Sequence, residues 1–224
     1  MNKNLKQCVR CIMDTSDHLI IFDDKGICNH CKEATRRLNN IPITKKDKKK
    51  LLNNSIKKIK KDGIKLEYDC VIGLSGGLDS SFLAYKVKQF GLRPLAVHVD
   101  NGWNTEISVS NIKNLVKKLN IDLITEVLEW DSFKDLQISF LKSSLANCEA
   151  PTDHAITASL FKNARKFNVK YIISGSNLAT ESIMPKSWGH YNQDLKLLKN
   201  IHKIFGKKKL VNFPTISILQ YFYY

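Results

Sequence analysis

Residues Cys70 to Ser81, CVIGLSGGLDSS, combine glycines, hydroxyls and one carboxylate in an order suited to anion chemistry. Val71, Ile72, Gly73 and Leu74 form a short apolar run, Ser75-Gly76-Gly77 ends it, and Phe82, Leu83, Val87 and Phe90 then recur at helical spacing until Gly91. The pattern is strand, glycine turn, helix. Paired glycines let the backbone turn tightly with no Cβ in the way, so successive N–H groups and a new helix N-terminus converge on an anion. Ser75, Ser80 and Ser81 add hydroxyl donors. Asp79 is the odd member: a carboxylate beside bound phosphate is repelled unless a cation lies between them, which points to a Mg²⁺ contact.

A second set of chemistry-bearing residues stands near the N-terminus. Cys8, Cys11, Cys28 and Cys31 read CxxC, sixteen residues, CxxC. Each pair suits a tight turn aiming two sulfurs at one point, and two such turns complete a tetrahedral thiolate site for zinc, with iron–sulfur ligation the competing reading. A segment of ~40 residues buries too little apolar surface to fold alone, so the metal would serve as its core. His30, inside the second pair, is surplus to a four-sulfur shell and reads as a supporting or exposed group.

The elements that position these residues follow from periodicity. His18 to Phe22 reads as a strand, Lys32 to about Asn40 as a short helix, and residues 45–61 as an amphipathic helix with Leu51, Leu52, Ile56 and Ile59 on one side, ending at Gly63. Pro94 to Val99 is a second buried strand, followed by a helix through Ile112, Leu115, Val116 and Leu119 that stops near Asn120. Leu123 to Val127 is a third strand, Asp131 to about Leu145 a helix, and Tyr171 to Ser174 a fourth strand. Alternating strands and helices with short connections imply a parallel sheet covered on both faces, an α/β fold whose ligands bind outside the carboxyl ends of the strands.

That crevice selects the remaining candidates. Val99 ends the second strand and Asp100, Asn101 and Trp103 follow it, and Gly175 follows the fourth. Gly175 permits close approach of a nucleotide. Pro151-Thr152-Asp153-His154 opens a helix with Thr152 or Asp153 suited to cap it and Ile156, Leu160, Ala164 and Phe167 facing inward; Asp153 and His154 are candidate proton acceptors. Glu181, Lys186 and Trp188 lie in a polar-aromatic stretch suited to receiving a substrate.

Composition bounds the setting. The 224 residues carry a net charge of +15, yet residues 1–66 hold 17 Lys+Arg against 7 Asp+Glu, so most of the surplus lies outside the crevice region. Lysine runs without stacking aromatics or arginine forks are a weak nucleic-acid signature and read as a solvated helix face. No run of about 18 apolar residues and no apolar leader is present, so the expectation is a cytoplasmic protein with no membrane contact, its six cysteines reduced or metal-bound.

The glycine loop fits neither GxxxxGK[ST] nor GxGxxG. It resembles SGGxDS, the pyrophosphate loop of the ATP pyrophosphatases, which cleave ATP to AMP and pyrophosphate. The whole chain resembles one branch of them, the N-acetyl sugar amidotransferases of bacterial surface-glycan and nonulosonic-acid biosynthesis. The likeness is carried by CVRCIMDTSD, GICNHC, YDCVIGLSGGLDSS, LAVHVDNGWN, PTDHAI, YIISGSNLATES and MPKSWG.

The resemblance implies an adenine-nucleotide alpha-hydrolase-like (PP-loop) domain over residues 67–206. A zinc-ribbon-like module would precede it at residues 1–40, a basic helix or linker would cover 41–66, and a C-terminal region cut short would begin at 207. It also implies ATP, Mg²⁺ and Zn²⁺ as cofactors. Ser75, Gly76, Gly77, Ser80 and Ser81 would hold the pyrophosphate, with Mg²⁺ on Asp79, and Val99, Asp100 and Gly175 would seat the adenosine. An acetamido sugar would meet Asn101, Trp103, Glu181, Lys186 and Trp188, and ammonia would come from glutaminase and synthase-like partner subunits. The rival within the superfamily is a tRNA sulfurtransferase, with Cys148 carrying the sulfur.

Overall fold

Cys70, Val71 and Ile72 are completely buried, and the strand they form, β1 (Cys70–Gly73), lies inside a four-stranded sheet. The structure, a computed structural model, describes residues 5–39, 44–145, 147–176 and 192–223. The sheet runs in the order β3-β2-β1-β4, with β2 at Pro94–Asp100, β3 at Asp122–Val127 and β4 at Ile172–Ile173. All pairings are parallel, as the near-continuous apolar runs require. Ile72 stands opposite both Ala96 and Ile173, so the residues after β1, β2 and β4 emerge side by side.

Alternation along the strands divides the core. Ile72, Leu74 and Ala96 face α3 (Leu78–Gln89) and α4 (Glu106–Leu119), meeting Ala84, Val87 and Ile112. Val71, Leu95 and Val97 face α6 (Ala150–Lys166) through Leu160 and Ala164. Each fully buried Val, Leu or Ile side chain here contributes about 1.5–3 kcal/mol. Leu136 and Phe140 of α5 (Trp130–Lys142) pack on Leu198 and Ile201 of α7 (Leu195–Phe205), a helix for which the sequence reading placed no element. A short α8 (Ile218–Tyr223) follows, with no buried residue.

The chain separates into two compact units, one built on the N-terminal residues up to Lys49, the other on Lys50–Gly175 and the C-terminal residues from 192. In the first, α1 spans Asn29–Asn39, three residues earlier than the sequence pattern suggests. His18 to Phe22 forms no strand; only Phe22 bridges to Cys28. The reason is local competition: the N–H of Leu19 donates to the Asp17 carboxylate and that of Ile21 to the Asn29 side chain, which removes the donors a ladder would need. The helix α2 (Lys45–Gly63) forms as expected, but Ile56 and Ile59 alone of its stripe reach the core, while Leu51 and Leu52 are exposed. No helix among the described residues is long and apolar enough to cross a membrane.

A polar knot closes the end of the sheet opposite the crevice. Buried Asp69 accepts from the Arg93 backbone N–H at 2.8 Å and from Arg93 Nη2 at 2.7 Å, while the same guanidinium donates to the carbonyls of Gly63 and Leu66. Removing the carboxylate strands these donors. Asp69→Ala is expected to lower stability by about 2 kcal/mol, moderated by the half-exposed guanidinium. A urea midpoint within experimental error of wild type would refute this.

Candidate active site

The loop after β1 is held open by its own geometry. Gly76 has φ +79, a left-handed conformation that favours glycine, and any Cβ there would strike the backbone carbonyl of Ser108. Gly77 caps α3 with no side-chain hydrogen bond, so the first amides of that helix have no cap. Ser75 Oγ and Ser80 Oγ lie 3.1 Å apart, the N–H of Ser75 donates to Ser80 Oγ at 3.3 Å, and that of Gly77 donates to Ser75 Oγ at 3.4 Å. These contacts are long for hydrogen bonds, the state of donors that a stronger acceptor would draw away. Asp79, in the first turn of α3, is exposed and accepts no hydrogen bond among the described residues. Ser81 N–H makes the first bond within α3, to Gly77 O.

The loop opens onto a crevice of about 390 Å³ whose lining includes Ser75, Ser80, Val99, Asn101 and Gly175. Sequence reasoning placed all five there. Gly175 is held close: a Cβ on it would lie 3.3 Å from Asp79 O. Asp100 turns aside instead, accepting from Gly102 N–H and from Asn104 Nδ2. Trp103 is exposed, its Nε1 donating to Gln137 and its ring edge-on to Trp130 at 5.5 Å between centroids. His98, which the sequence reading passed over, lines the crevice and is buried. Its Nδ1 donates to Leu74 O at 2.9 Å and its Nε2 accepts from Asn104 Nδ2 at 3.2 Å.

A profile of the NAD synthase family matches residues 46–215, three quarters of the chain and the whole of this crevice. The chain belongs to the NAD synthase family. That places it in the PP-loop superfamily, whose members use ATP. No curated protein matches it. Among solved structures it is similar to the NH3-dependent NAD synthetase from Campylobacter jejuni, at 19% identity and TM-score 0.41, covering 57% of this chain and 56% of that one. It is also similar to NMN synthetase from Francisella tularensis, at 17% identity and TM-score 0.42, covering 74% and 76%. A third is a predicted subunit of tRNA methyltransferase from Methanocaldococcus jannaschii, at 15% identity and TM-score 0.37, covering 67% of each chain. Likeness at this level bears on neither substrate nor partner.

Within this NAD synthase-type domain, α6 departs from the sequence expectation. Glu149 holds the cap position and makes no side-chain bond; neither Thr152 nor Asp153 caps. Leu160, Ala164 and Phe167 face the sheet as expected, whereas Ile156 is exposed; the helix also buries His154, Ala155 and Ala158, because the C-terminal segment covers it as well as the sheet. His154 has no exposed surface. Its Nδ1 donates to Asn192 O at 2.8 Å and its Nε2 accepts from Ile216 N–H at 3.2 Å, so both nitrogens are committed and the role of base is withdrawn from it. Burial also pushes its pKa down. Asp153 accepts from Asn192 Nδ2 at 2.6 Å; burial, and then the Glu149 charge, hold its carboxyl above the ordinary range. Thr152 lines the crevice, its buried hydroxyl without a partner among the described residues. Glu181, Lys186 and Trp188 lie outside the described residues.

The four cysteines precede the NAD synthase match. Their sulfurs all lie within 4.8 Å of one another, with Cys8–Cys31 at 4.0 Å and Cys11–Cys28 at 3.7 Å. A zinc tetrahedron with Zn–S of about 2.3 Å needs sulfurs roughly 3.8 Å apart, so the residues fit the ion and could hold zinc. Backbone N–H groups of Arg10 and Cys28 point at Cys8 Sγ. Burial acts to raise that thiol, but these donors prevail and bring it to about 6. His30 is no ligand here: its Nε2 lies 2.6 Å from buried Asp17, bracing the second cysteine turn.

Proposed function

We propose that the chain is an ATP-dependent amidotransferase that adenylates the acetamido group of a sugar, nucleotide-linked in our reading, and replaces its oxygen with ammonia. The observation that carries the reading is the uncapped glycine loop at the crevice, with Ser75 and Ser80 beside it and Asp79 free. An amide oxygen is a poor leaving group. Attack of that oxygen on the α-phosphorus of ATP expels pyrophosphate and gives an adenylated oxygen; ammonia then adds to the carbon, AMP departs with the oxygen, and an acetamidino group remains.

In this scheme the amides of Gly77 and of the first turn of α3, with the serine hydroxyls, stabilise the negative charge growing on the leaving pyrophosphate. Asp79 would hold Mg²⁺, which supplies positive charge to the same oxygens. Backbone around Val99 and the bare Gly175 would receive the adenosine, and Asn101 and Trp103 the sugar. Of the two bases weighed, Asp153 fits better, since both nitrogens of His154 are committed whereas Asp153, next to the crevice-lining Thr152, accepts from Asn192 through one oxygen. Ammonia would come from a partner glutaminase with its synthase-like subunit.

Release of AMP and pyrophosphate with ammonium, across a panel of nucleotide-linked acetamido sugars, tests this. One sugar should stimulate release, and ¹⁸O placed in its acetamido group should appear in AMP. Release that depends on tRNA and on no sugar would overturn the reading. Asp79→Asn is expected to cut AMP formation about a hundredfold and ATP binding by less than tenfold; an equal fall in both would refute the role given to that carboxylate.

A further inference from the structure

The loop's amides can serve an anion only if their peptide planes face the right way, and two neighbouring side chains decide this. In a trans peptide the carbonyl and the following N–H point in opposite directions. Asn111 of α4 donates through Nδ2 to Gly76 O at 3.1 Å, so the N–H of Gly77 is turned to the opposite side, where it meets Ser75 Oγ. His98 of β2 donates through Nδ1 to Leu74 O at 2.9 Å, which turns the N–H of Ser75 towards Ser80 Oγ. Both carbonyls are thus drawn outward by different elements, and both N–H groups point at the same pair of hydroxyls.

We infer that His98 and Asn111 are positioning residues that aim the Ser75 and Gly77 amides at bound pyrophosphate. The inference rests on the proposed role of the loop and adds to it the groups that set its orientation. A free loop containing two consecutive glycines would sample flipped planes that present carbonyl oxygens to the anion; the two donors hold one arrangement. The histidine is itself oriented: Leu74 O can only accept, so Nδ1 carries the proton, and Nε2 accepts from Asn104, which is anchored on Asp100.

Asn111 is exposed on its helix, and alanine is the better helix former there, so Asn111→Ala should melt no lower than wild type. In calorimetric titrations with Mg²⁺, this variant is expected to bind inorganic pyrophosphate about tenfold more weakly and AMP within twofold of wild type. His98→Asn keeps a donor where Nδ1 stood and should hold pyrophosphate better than His98→Gln, whose amide overlays Nε2. Unchanged pyrophosphate affinity in Asn111→Ala would overturn the inference while leaving the proposed function standing. An equal loss of both ligands would also overturn it, as the mark of general damage. Wild-type protein that binds AMP but no pyrophosphate would remove the role of the loop, and this inference with it.

Discussion

Replacing Gly76 with alanine is expected to lower ATP cleavage about a hundredfold or more while the protein stays folded. The residue sits at φ +79, where a Cβ costs about 1–2 kcal/mol by itself. The added atom would also overlap the Ser108 carbonyl oxygen, with the Ser108 carbonyl carbon at 2.9 Å and its Cα at 3.0 Å. These are backbone atoms of α4 and cannot rotate away, so the loop or the helix must shift. A displacement of about 1 Å at the reacting groups can cost a hundredfold. The adjacent glycine supplies the control. Gly77 has φ −78 and ψ 172, ordinary extended backbone, and a Cβ there would have Ser75 Oγ as its nearest neighbour at 3.5 Å. Gly77→Ala should therefore lose less than tenfold. Pyrophosphate release beside urea melts of both variants checks this; equal losses would mean that the loop needs flexibility in general rather than a left-handed Gly76.

The contrast between those two glycines also marks how far the sequence could be read. SGGLDS between an apolar run and a helical pattern was sufficient to locate the loop, and parallel strands with short crossovers were sufficient to bring Val99 and Gly175 to it. Which glycine bears the positive φ was not legible, because it depends on where α4 passes. His98 escaped notice for a related reason. It lies inside an apolar strand whose residues are buried on both faces, where one histidine reads as an interruption; only the pairing of β2 with β1 sets it beside Leu74. His154 failed in the opposite sense. Its place in PTDH suggested a reactive group, but α6 is covered by a C-terminal segment that periodicity could not position, and Ile216 and Asn192 use both nitrogens. Asn111 carried no signal, since an asparagine on an exposed helix face is ordinary.

Zinc held by the four cysteines is expected to keep residues 5–39 folded, so that chelation, or Cys28→Ala, unfolds them. The apolar groups packed together in this module are the cysteines themselves with Ile20, Phe22 and Ile27, whereas Val9, Ile12, Leu19 and Ile21 are exposed. Ordering a residue costs about 1–2 kcal/mol of backbone entropy, and so small a cluster cannot offset that over the whole segment. Structural zinc contributes about 10–16 kcal/mol in modules of this kind. Cys28 is the member to remove: it is completely buried, bridges to Phe22, and gives its N–H to Cys8 Sγ. The substitution leaves that backbone in place and takes away a sulfur, which accepts from Cys31 N–H and meets Cys11 Sγ at 3.7 Å, together with core volume. Metal analysis should find one zinc per wild-type chain and none in Cys28→Ala, with Cys148→Ala as the control that keeps its metal. Hydrogen exchange in α1 should rise to the rate of an unfolded chain in step with metal loss. Protection of α1 that survives complete removal of the metal would mean that Asp17, His30 and the Asp23 turn hold the module unaided, and the ion would then be dispensable to its fold.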